Sequence, residues 1–240
     1  MSADPHDAAW TDGRPPLAWL ALANRHALVT RVLTTTVHDV NNTLQVVSGA
    51  AEVLAMDPTP EAVVKRTDSI VAHARQATTA LQALTVFARD PSTPSGRGRV
   101  KAAADQAVAL RGHALRKARI ACSVSGDEGE CEAPAGVVLQ VLLNLLVNAE
   151  AALTGRPGAE LAVRVRTIGT RTEVTVEDNG GGVPEARVEA LFVWPPWSPA
   201  SGALGLGLLV SQALAKEHGG SLDYADTPGG GATFTLALPR

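Results

Sequence analysis

The chain has 240 residues, of which 45% are hydrophobic and 19% charged, and its net charge is −3. This composition is typical of a globular protein and excludes a mainly disordered chain. The slightly acidic balance gives no sign of the basic surface that nucleic-acid-binding proteins use. Cys122 and Cys131 match no metal or redox spacing, so we expect reduced thiols in a cytoplasmic protein.

The N-terminal segment has neither a targeting pattern nor a membrane-spanning one. Residues 1–16 are polar and acidic, with Pro and Gly, so we expect a disordered segment and no signal peptide. No run approaches the ~20 apolar residues of a membrane-spanning helix, so we expect a soluble protein without a membrane span. Residues 1–30 are too few for a sensing domain, so a separate sensor or upstream protein is expected to supply the input.

Two long helices are predicted over residues 17–90, from about Leu17 to Met56 and from about Glu61 to Arg89. Both carry apolar residues in alternating steps of four and three, which is a heptad pattern. In the first helix these residues are Leu33, Val37, Val40, Leu44, Val47, Ala51 and Leu54. Two such helices joined by a short turn predict an antiparallel hairpin, and a second copy would cover its exposed apolar stripe. We therefore expect a homodimer held by a four-helix bundle.

A Pro- and Ser-rich linker is predicted at residues 91–99, and beyond it the pattern changes. Predicted helices lie at about 102–119, 134–153, 184–192 and 206–218, and predicted strands at about 119–125, 161–168, 171–177, 221–224 and 232–238. Strands on one side and helices on the other predict an α+β sandwich over residues 100–240.

His38 is the first candidate for chemistry. It follows Val37 of the heptad pattern, which places it on the outer face of the helix, with Asp39 beside it and Asn42 one turn later. A carboxylate next to an imidazole can orient the ring and accept its proton, which makes the ring a better nucleophile. On the residues alone, a surface histidine without a function stays an alternative.

Two amides interrupt the apolar helix predicted at 134–153. Asn144 and Asn148 lie one turn apart on one face, and buried amides are costly unless they bind something. As a pair that faces a pocket they suit a hydrated Mg²⁺ and the phosphates it carries. Hydrogen bonding between helices stays an alternative for either one.

Glycines follow a carboxylate at the end of a predicted strand. Asp178 precedes Gly180 and Gly182, an arrangement that is often only a turn. It also suits a carboxylate that accepts a hydrogen bond from an adenine amino group, with glycines that let the base approach the backbone. Further along, Gly205 and Gly207 open a helix, and glycines there leave N–H groups accessible to phosphates.

In this order the motifs resemble those of two-component sensor histidine kinases of the GHKL (Bergerat-fold) ATPase superfamily, over residues 30–240. His38–Asn42 resembles the H box, Asn144–Asn148 the N box and Asp178–Gly182 the first glycine box. The later boxes are matched by Phe192, residues 205–208 and residues 229–233. The resemblance implies a Bergerat-type ATP-binding sandwich after the helical hairpin.

The resemblance also implies roles for the H box. His38 would accept the γ-phosphoryl group of ATP, and Asp39 would be the acidic residue that activates it. Asn42 matches the position that the family links to dephosphorylation of the partner regulator.

In the ATP-binding part, the resemblance implies that Asn148 is the Mg²⁺ ligand, with Asn144 near the reacting phosphate. Asp178 would specify adenine. The remaining nucleotide-binding residues implied are Gly180, Gly182, Phe192, Gly205, Leu206, Gly207 and Thr233.

The chain departs from the family pattern at two notable places. Thr43 replaces the proline that often follows the H-box amide, so the usual helix kink is not expected. The predicted ATP lid, residues 193–201, has no Lys or Arg, and none occurs between Arg187 and Lys216. A basic residue at the phosphates stabilises phosphoryl transfer, so we expect either slow autophosphorylation or help from a basic residue of the bundle.

The leading hypothesis is a soluble, dimeric histidine kinase that uses Mg-ATP to phosphorylate His38 and passes the phosphoryl group to an aspartate of a response regulator receiver domain. The alternative is a histidine phosphotransfer protein on the same scaffold whose ATP site is weakened or lost. A gyrase-like or chaperone-like ATPase explains the pocket, but it does not explain the heptad hairpin that carries His38.

Overall fold

The computed structural model describes residues 15–56, 58–88, 97–193 and 205–240. The N-terminus predicted to be disordered, apart from its last two residues, lies outside the described residues. So do most of the predicted linker and all but the first residue of the predicted lid.

The described chain begins with two long antiparallel helices. Helix α1 spans Leu17–Met56 and α2 spans Pro60–Ala88, within one residue of the predicted bounds. Thr59 precedes α2, and its Oγ1 accepts a hydrogen bond from Ala62 N at 3.3 Å. Ser and Thr are preferred at this position because their oxygen satisfies an N–H group of the first turn.

The heptad stripe of α1 lies mostly on the outside of the chain. Leu33, Val37 and Leu44 are 44%, 46% and 50% exposed. The positions buried within the chain form another stripe with a spacing of seven residues, and they carry small or polar side chains: Thr36, Thr43 and Ala50. One protomer therefore presents an apolar stripe to the outside, as a bundle of two hairpins requires.

The rest of the chain is an α+β domain, as predicted. Its strands are β1 (Gly98–Arg99), β2 (Ala121–Gly126), β3 (Glu130–Cys131), β4 (Glu160–Ile168), β5 (Arg171–Asp178), β6 (Ser221–Asp226) and β7 (Ala232–Pro239). Its helices are α3 (Val100–Lys117), α4 (Ala135–Leu153), α5 (Glu185–Val188) and α6 (Leu206–Glu217). The main sheet has the order β2-β4-β5-β7-β6, with β2 parallel to β4 and the other neighbours antiparallel.

Two details of the prediction are wrong. Gly98 and Arg99, predicted as linker, pair with Cys131 and Glu130 in a small antiparallel sheet. A Cβ on Gly98 would lie 2.5 Å from the Ala133 carbonyl oxygen, so a close backbone approach requires the glycine. The helix predicted at 184–192 is also shorter, since α5 ends at Val188.

The core lies between one face of the sheet and a layer made of α3, α4 and α6. Alternate residues of β5 are buried, ending with Val174, Val176 and Asp178. Helix α1 packs on the outer side of the helical layer, where Leu28 and Val32 join the same core. The first half of α1 is therefore bound to the α+β domain.

Helix α4 corrects one expectation from the sequence. By length and composition Ala135–Leu153 is apolar enough to cross a membrane, although we expected no stretch to approach this. The residues of that stretch are 67% buried within the domain. A core helix that contacts a sheet and three other helices is apolar for the same physical reason as a membrane helix, because most of its surface is out of contact with water.

Candidate nucleotide and phosphoacceptor sites

Asp178 is the last residue of β5 and is 3% exposed. Its Oδ1 accepts hydrogen bonds from Gly180 N at 2.8 Å and Ala232 N at 3.3 Å. Among the described residues, every hydrogen bond to this carboxylate goes to Oδ1, which leaves Oδ2 for an outside donor. Burial raises the pKa of Asp178, while the two N–H groups and the charge of Arg156 lower it.

The backbone around Asp178 is closely packed and glycine-lined. A Cβ on Gly231 would lie 1.9 Å from the Asp178 carbonyl oxygen, and Gly231 has φ +114°. Gly182, at φ +69°, packs against the Gly231 carbonyl oxygen. Gly180 lies against Ala152 in the last turn of α4. The first and last glycine boxes therefore meet beside α4 and next to the Asp178 carboxylate, at distances that only glycine permits.

Hydrogen bonds fix the loop after Asp178 at both ends. The Asn179 side chain accepts from Glu160 N at 2.9 Å and donates to the Gly158 carbonyl at 2.8 Å. Val183 N donates to the Tyr224 hydroxyl, which in turn donates to Asp226 Oδ1 at 2.5 Å. We did not identify Tyr224 from the sequence, because its contact with Val183 spans 41 residues.

The N box shows two different environments. Asn148 is half-buried, one turn before Ala152, and its amide oxygen is a type of ligand that Mg²⁺ accepts. Asn144 is 3% exposed and already engaged: its Nδ2 donates to Ser211 Oγ and Asn24 Oδ1, each at 3.0 Å. Its Oδ1 accepts from Asn24 Nδ2, also at 3.0 Å. In this arrangement Asn144 therefore joins helices, the alternative that the sequence left open.

Asn24 of α1 is the partner that the sequence did not reveal. It is 6% exposed and, besides Asn144, it accepts a hydrogen bond from Gln140 Nε2 at 3.1 Å. Gln140 Nε2 also lies 3.2 Å from the Ala21 carbonyl oxygen. This satisfied polar network fixes the start of α1 against α4 and α6.

The start of α6 lies beside the N box. Gly205, at φ +63°, precedes the helix, and a Cβ on Gly207 would lie 3.1 Å from Asn144 Oδ1. A helix N-terminus with accessible N–H groups favours phosphate. Of the other predicted nucleotide residues, Leu206 is buried, Phe192 is half-buried against the core, and Thr233 Oγ1 lies 2.8 Å from Thr227 Oγ1.

A buried ion pair supports the N-box helix from the side. Arg111 of α3, 2% exposed, donates to Glu150 Oε2 of α4 from its Nε at 3.1 Å and from its Nη2 at 2.6 Å. Breaking a buried pair leaves an uncompensated charge, so this contact ties α3 firmly to α4.

The H box lies on α1 with His38 on its outer face, as predicted. His38 is exposed, and its Nδ1 is 3.0 Å from the Asn42 amide nitrogen. Asp39 is partly buried instead, and its Oδ1 lies 2.5 Å from Nδ1 of His113 on α3. Burial raises the pKa of Asp39, while His113, Arg116 and His38 lower it. His113 is a further neighbour that the sequence did not indicate.

The structure does not bring the two sites together. Asn24 contacts the N box, and His38 follows it by fourteen residues. At 1.5 Å per residue, this is roughly 20 Å along α1. In this arrangement the phosphate end of the candidate ATP site is therefore out of reach of the histidine of the same chain.

Comparisons with known proteins point to one family. Residues 135–240 match the family model described as "Histidine kinase-, DNA gyrase B-, and HSP90-like ATPase". The sensor histidine kinase ZraS of Klebsiella oxytoca is 44% identical over 101 residues, which are 42% of this chain and 21% of that protein. The histidine-protein kinase AtoS of Escherichia coli is 28% identical over 232 residues, 92% of this chain and 36% of that protein. The chain thus spans about a fifth to a third of these relatives.

Solved structures share the fold. The catalytic domain of histidine kinase ThkA matches with a TM-score of 0.55 and 23% identity, over 60% of this chain and 94% of that one. Full-length ShkA, solved with AMPPNP, matches with a TM-score of 0.52 and 18% identity, over 88% of this chain and 45% of that one. Residues 135–240 therefore form an ATPase domain of the GHKL type, and the similarities of the chain as a whole support a two-component histidine kinase.

Proposed function

We propose that this chain phosphorylates His38 from Mg-ATP and passes the phosphoryl group to an aspartate of a response regulator receiver domain. The observation that carries the proposal is the buried Asp178 carboxylate. One of its oxygens is held by two backbone N–H groups, and the other is left for an outside donor, in a glycine-lined corner. The same chain exposes a histidine beside a carboxylate.

The residues present fit an adenine nucleotide. The exocyclic amino group of adenine is a donor that matches the remaining Asp178 oxygen. A side chain at Gly180 would crowd that carboxylate, since a Cβ there would lie 2.7 Å from Asp178 Oδ1. Phosphates would lie toward the N-terminus of α6, and Asn148 would hold Mg²⁺ through its amide oxygen. Bound there, Mg²⁺ would offset the negative charge of the phosphates.

The H box is arranged to make His38 a nucleophile. If the Asn42 amide turns by half a rotation, its nitrogen and oxygen exchange places. The oxygen can then accept a hydrogen bond from His38 Nδ1–H. The lone pair then lies on Nε2, which would form the N–P bond while the bond from the γ-phosphorus to the ADP oxygen breaks. The negative charge of the adjacent Asp39 would activate the ring by offsetting the positive charge that it gains as the N–P bond forms.

Transfer requires the ATPase domain to move, or a second protomer to supply the histidine, because Asn24 fixes the N box roughly 20 Å along α1 from His38. Breaking the Asn24–Asn144 contact would also free Asn144 for the role implied by the family. An upstream sensor could act on the start of α1, where this contact lies.

We further propose a homodimer, with the exposed stripe of Leu33, Val37 and Leu44 at its centre. The stripe is too apolar to remain in water without cost, and pairing two hairpins buries it in a four-helix bundle. A cytoplasmic location fits the use of ATP and the two free cysteines. Asn42, next to the phosphorylated ring, would position water when the regulator is dephosphorylated.

The relay function remains the second candidate, since the lid sequence lacks Lys and Arg between Arg187 and Lys216. Incubation of the purified protein with γ-labelled ATP and Mg²⁺ separates the two. The kinase gives acid-labile label on the protein, whereas the relay gives none and accepts label only from a phosphorylated regulator.

A further inference from the structure

Three side chains with metal-ligand chemistry meet where α1 packs against α3. His38, Asp39 and His113 each offer one ligand atom, and the three atoms lie within 4.8 Å of one another. Two imidazole nitrogens and a carboxylate oxygen suit Zn²⁺, with water at the fourth tetrahedral position. From this juxtaposition we propose a Zn²⁺ site that joins the phosphoacceptor helix to the ATPase domain.

The carboxylate oxygen in this cluster lacks a well-formed hydrogen bond. Asp39 Oδ1 is buried and has no hydrogen-bond partner among the described residues, although His113 Nδ1 is only 2.5 Å away. Asp39 Oδ1 and His113 Nδ1 are close enough for an ion pair, but they are not aligned for a hydrogen bond. A buried polar atom of this kind is unfavourable, and a cation held between the two helices would satisfy it.

Asn42 lies where a ligating histidine needs support. Its amide is 3.0 Å from His38 Nδ1. Histidines that bind metal hold the other ring nitrogen in a hydrogen bond, which fixes the tautomer and the direction of the ring. With its oxygen facing Nδ1–H, Asn42 leaves the Nε2 lone pair of His38 for the metal.

The cluster closes around a metal after a small adjustment. Ligands about 2.0–2.2 Å from a tetrahedral Zn²⁺ are roughly 3.4 Å apart, so Asp39 Oδ1 and His113 Nδ1 must separate by about 1 Å. Their side chains are 20% and 27% exposed, which leaves room for rotation. The positive charge of Arg116 also reaches Asp39 and opposes the metal, so we expect moderate affinity.

The consequence for signalling rests on the proposed function. Zn²⁺ would occupy the same ring nitrogen of His38 that accepts the phosphoryl group, and it would tie α1 to α3. Bound metal and phosphohistidine therefore exclude each other, and Zn²⁺ holds the ATPase domain in the arrangement seen here.

Titration of the metal-free protein with Zn²⁺ alone, by isothermal calorimetry near neutral pH, tests the site. We expect one Zn²⁺ per chain. Loss of an outer-shell partner costs roughly 10–100-fold in affinity, so Asn42→Ala should weaken binding by that factor. Loss of a ligand in His113→Ala or His38→Gln should weaken it by more than about 100-fold. His73→Ala, on α2, is the matched control and should bind like the wild type.

Absence of binding to the wild type overturns the proposal, and so does wild-type affinity in either ligand variant. His38 is exposed, so His38→Gln keeps the test decisive if the His113 variant does not fold, as circular dichroism would show. The titration contains no nucleotide. Its failure is therefore distinct from failure of the kinase activity, which the labelling experiment reports.

Discussion

Replacing Asp178 by Asn tests the adenine site with little change in volume. The Asn oxygen can keep the hydrogen bonds from Gly180 N and Ala232 N, at 2.8 and 3.3 Å, so the loop should retain its conformation. The other carboxylate oxygen becomes an NH₂ group, which faces the adenine amino group as donor against donor. A hydrogen bond to a charged group contributes about 1.5–3 kcal/mol, so ATP affinity should fall roughly 10- to 150-fold.

Asp178→Asn should also change how the folding stability depends on pH. Burial raises the pKa of Asp178 above its ordinary value of 3.8. The folded state therefore favours the protonated carboxyl of Asp178. The stability that this gives is complete below pH 3.8 and is lost as the pH rises through the folded-state pKa. Asp178→Asn should remove that loss, so the variant without nucleotide should unfold at the same or higher urea concentration than the wild type at neutral pH.

Calorimetric titration with ATP measures the affinity, and urea unfolding at acidic and neutral pH measures the stability. Asp223→Asn, at an exposed position on β6, is the matched control and should leave both unchanged. Wild-type ATP affinity in a folded Asp178→Asn protein would refute the adenine assignment.

Three further predictions concern α1 and a cysteine. Asn24→Ala removes the hydrogen bonds of Asn24 to Gln140 and Asn144 and leaves Asn144 Oδ1 without that donor, so it should lower the free energy of unfolding in urea by about 1–3 kcal/mol. The exposed His26→Ala should not lower it, and equal values would contradict the network. Leu44→Glu places a charge on the exposed stripe and should halve the mass seen by light scattering; an unchanged mass would exclude this interface. Burial raises the pKa of Cys122 to about 11, so iodoacetamide should alkylate it slowly near neutral pH and much faster only as the pH approaches 11. Fast alkylation of Cys122 at neutral pH would contradict this.

Much of the fold could be predicted because its elements have local signals. The heptad spacing and the Pro residues around position 58 set the bounds of α1 and α2, and alternation in β5 placed Asp178 at a strand end. The two-residue strands β1 and β3 could not be predicted, since they are too short to show a period.

The contacts between α1 and the ATPase domain carry no local signal. Asn24 and Asn144 are separated by 120 residues, and nothing around Asn24 distinguishes it from a surface amide of a helix. His113 likewise lies in an ordinary helix, and only the packing of α3 against α1 brings it to Asp39. The sequence thus indicated which residues carry chemistry, while tertiary packing decides which of them meet.

Labelling of His38→Gln tests most directly whether His38 accepts a phosphoryl group from ATP. Wild-type protein, His38→Gln and the control His73→Gln are incubated with γ-labelled ATP and Mg²⁺, and acid-labile label on the protein is measured. His38 is exposed, and His73 is half-buried on α2, outside the ATPase domain, so all three proteins should fold and bind ATP. We expect label on the wild type and on His73→Gln and none on His38→Gln; label on folded His38→Gln, or its loss in His73→Gln alone, would contradict the account.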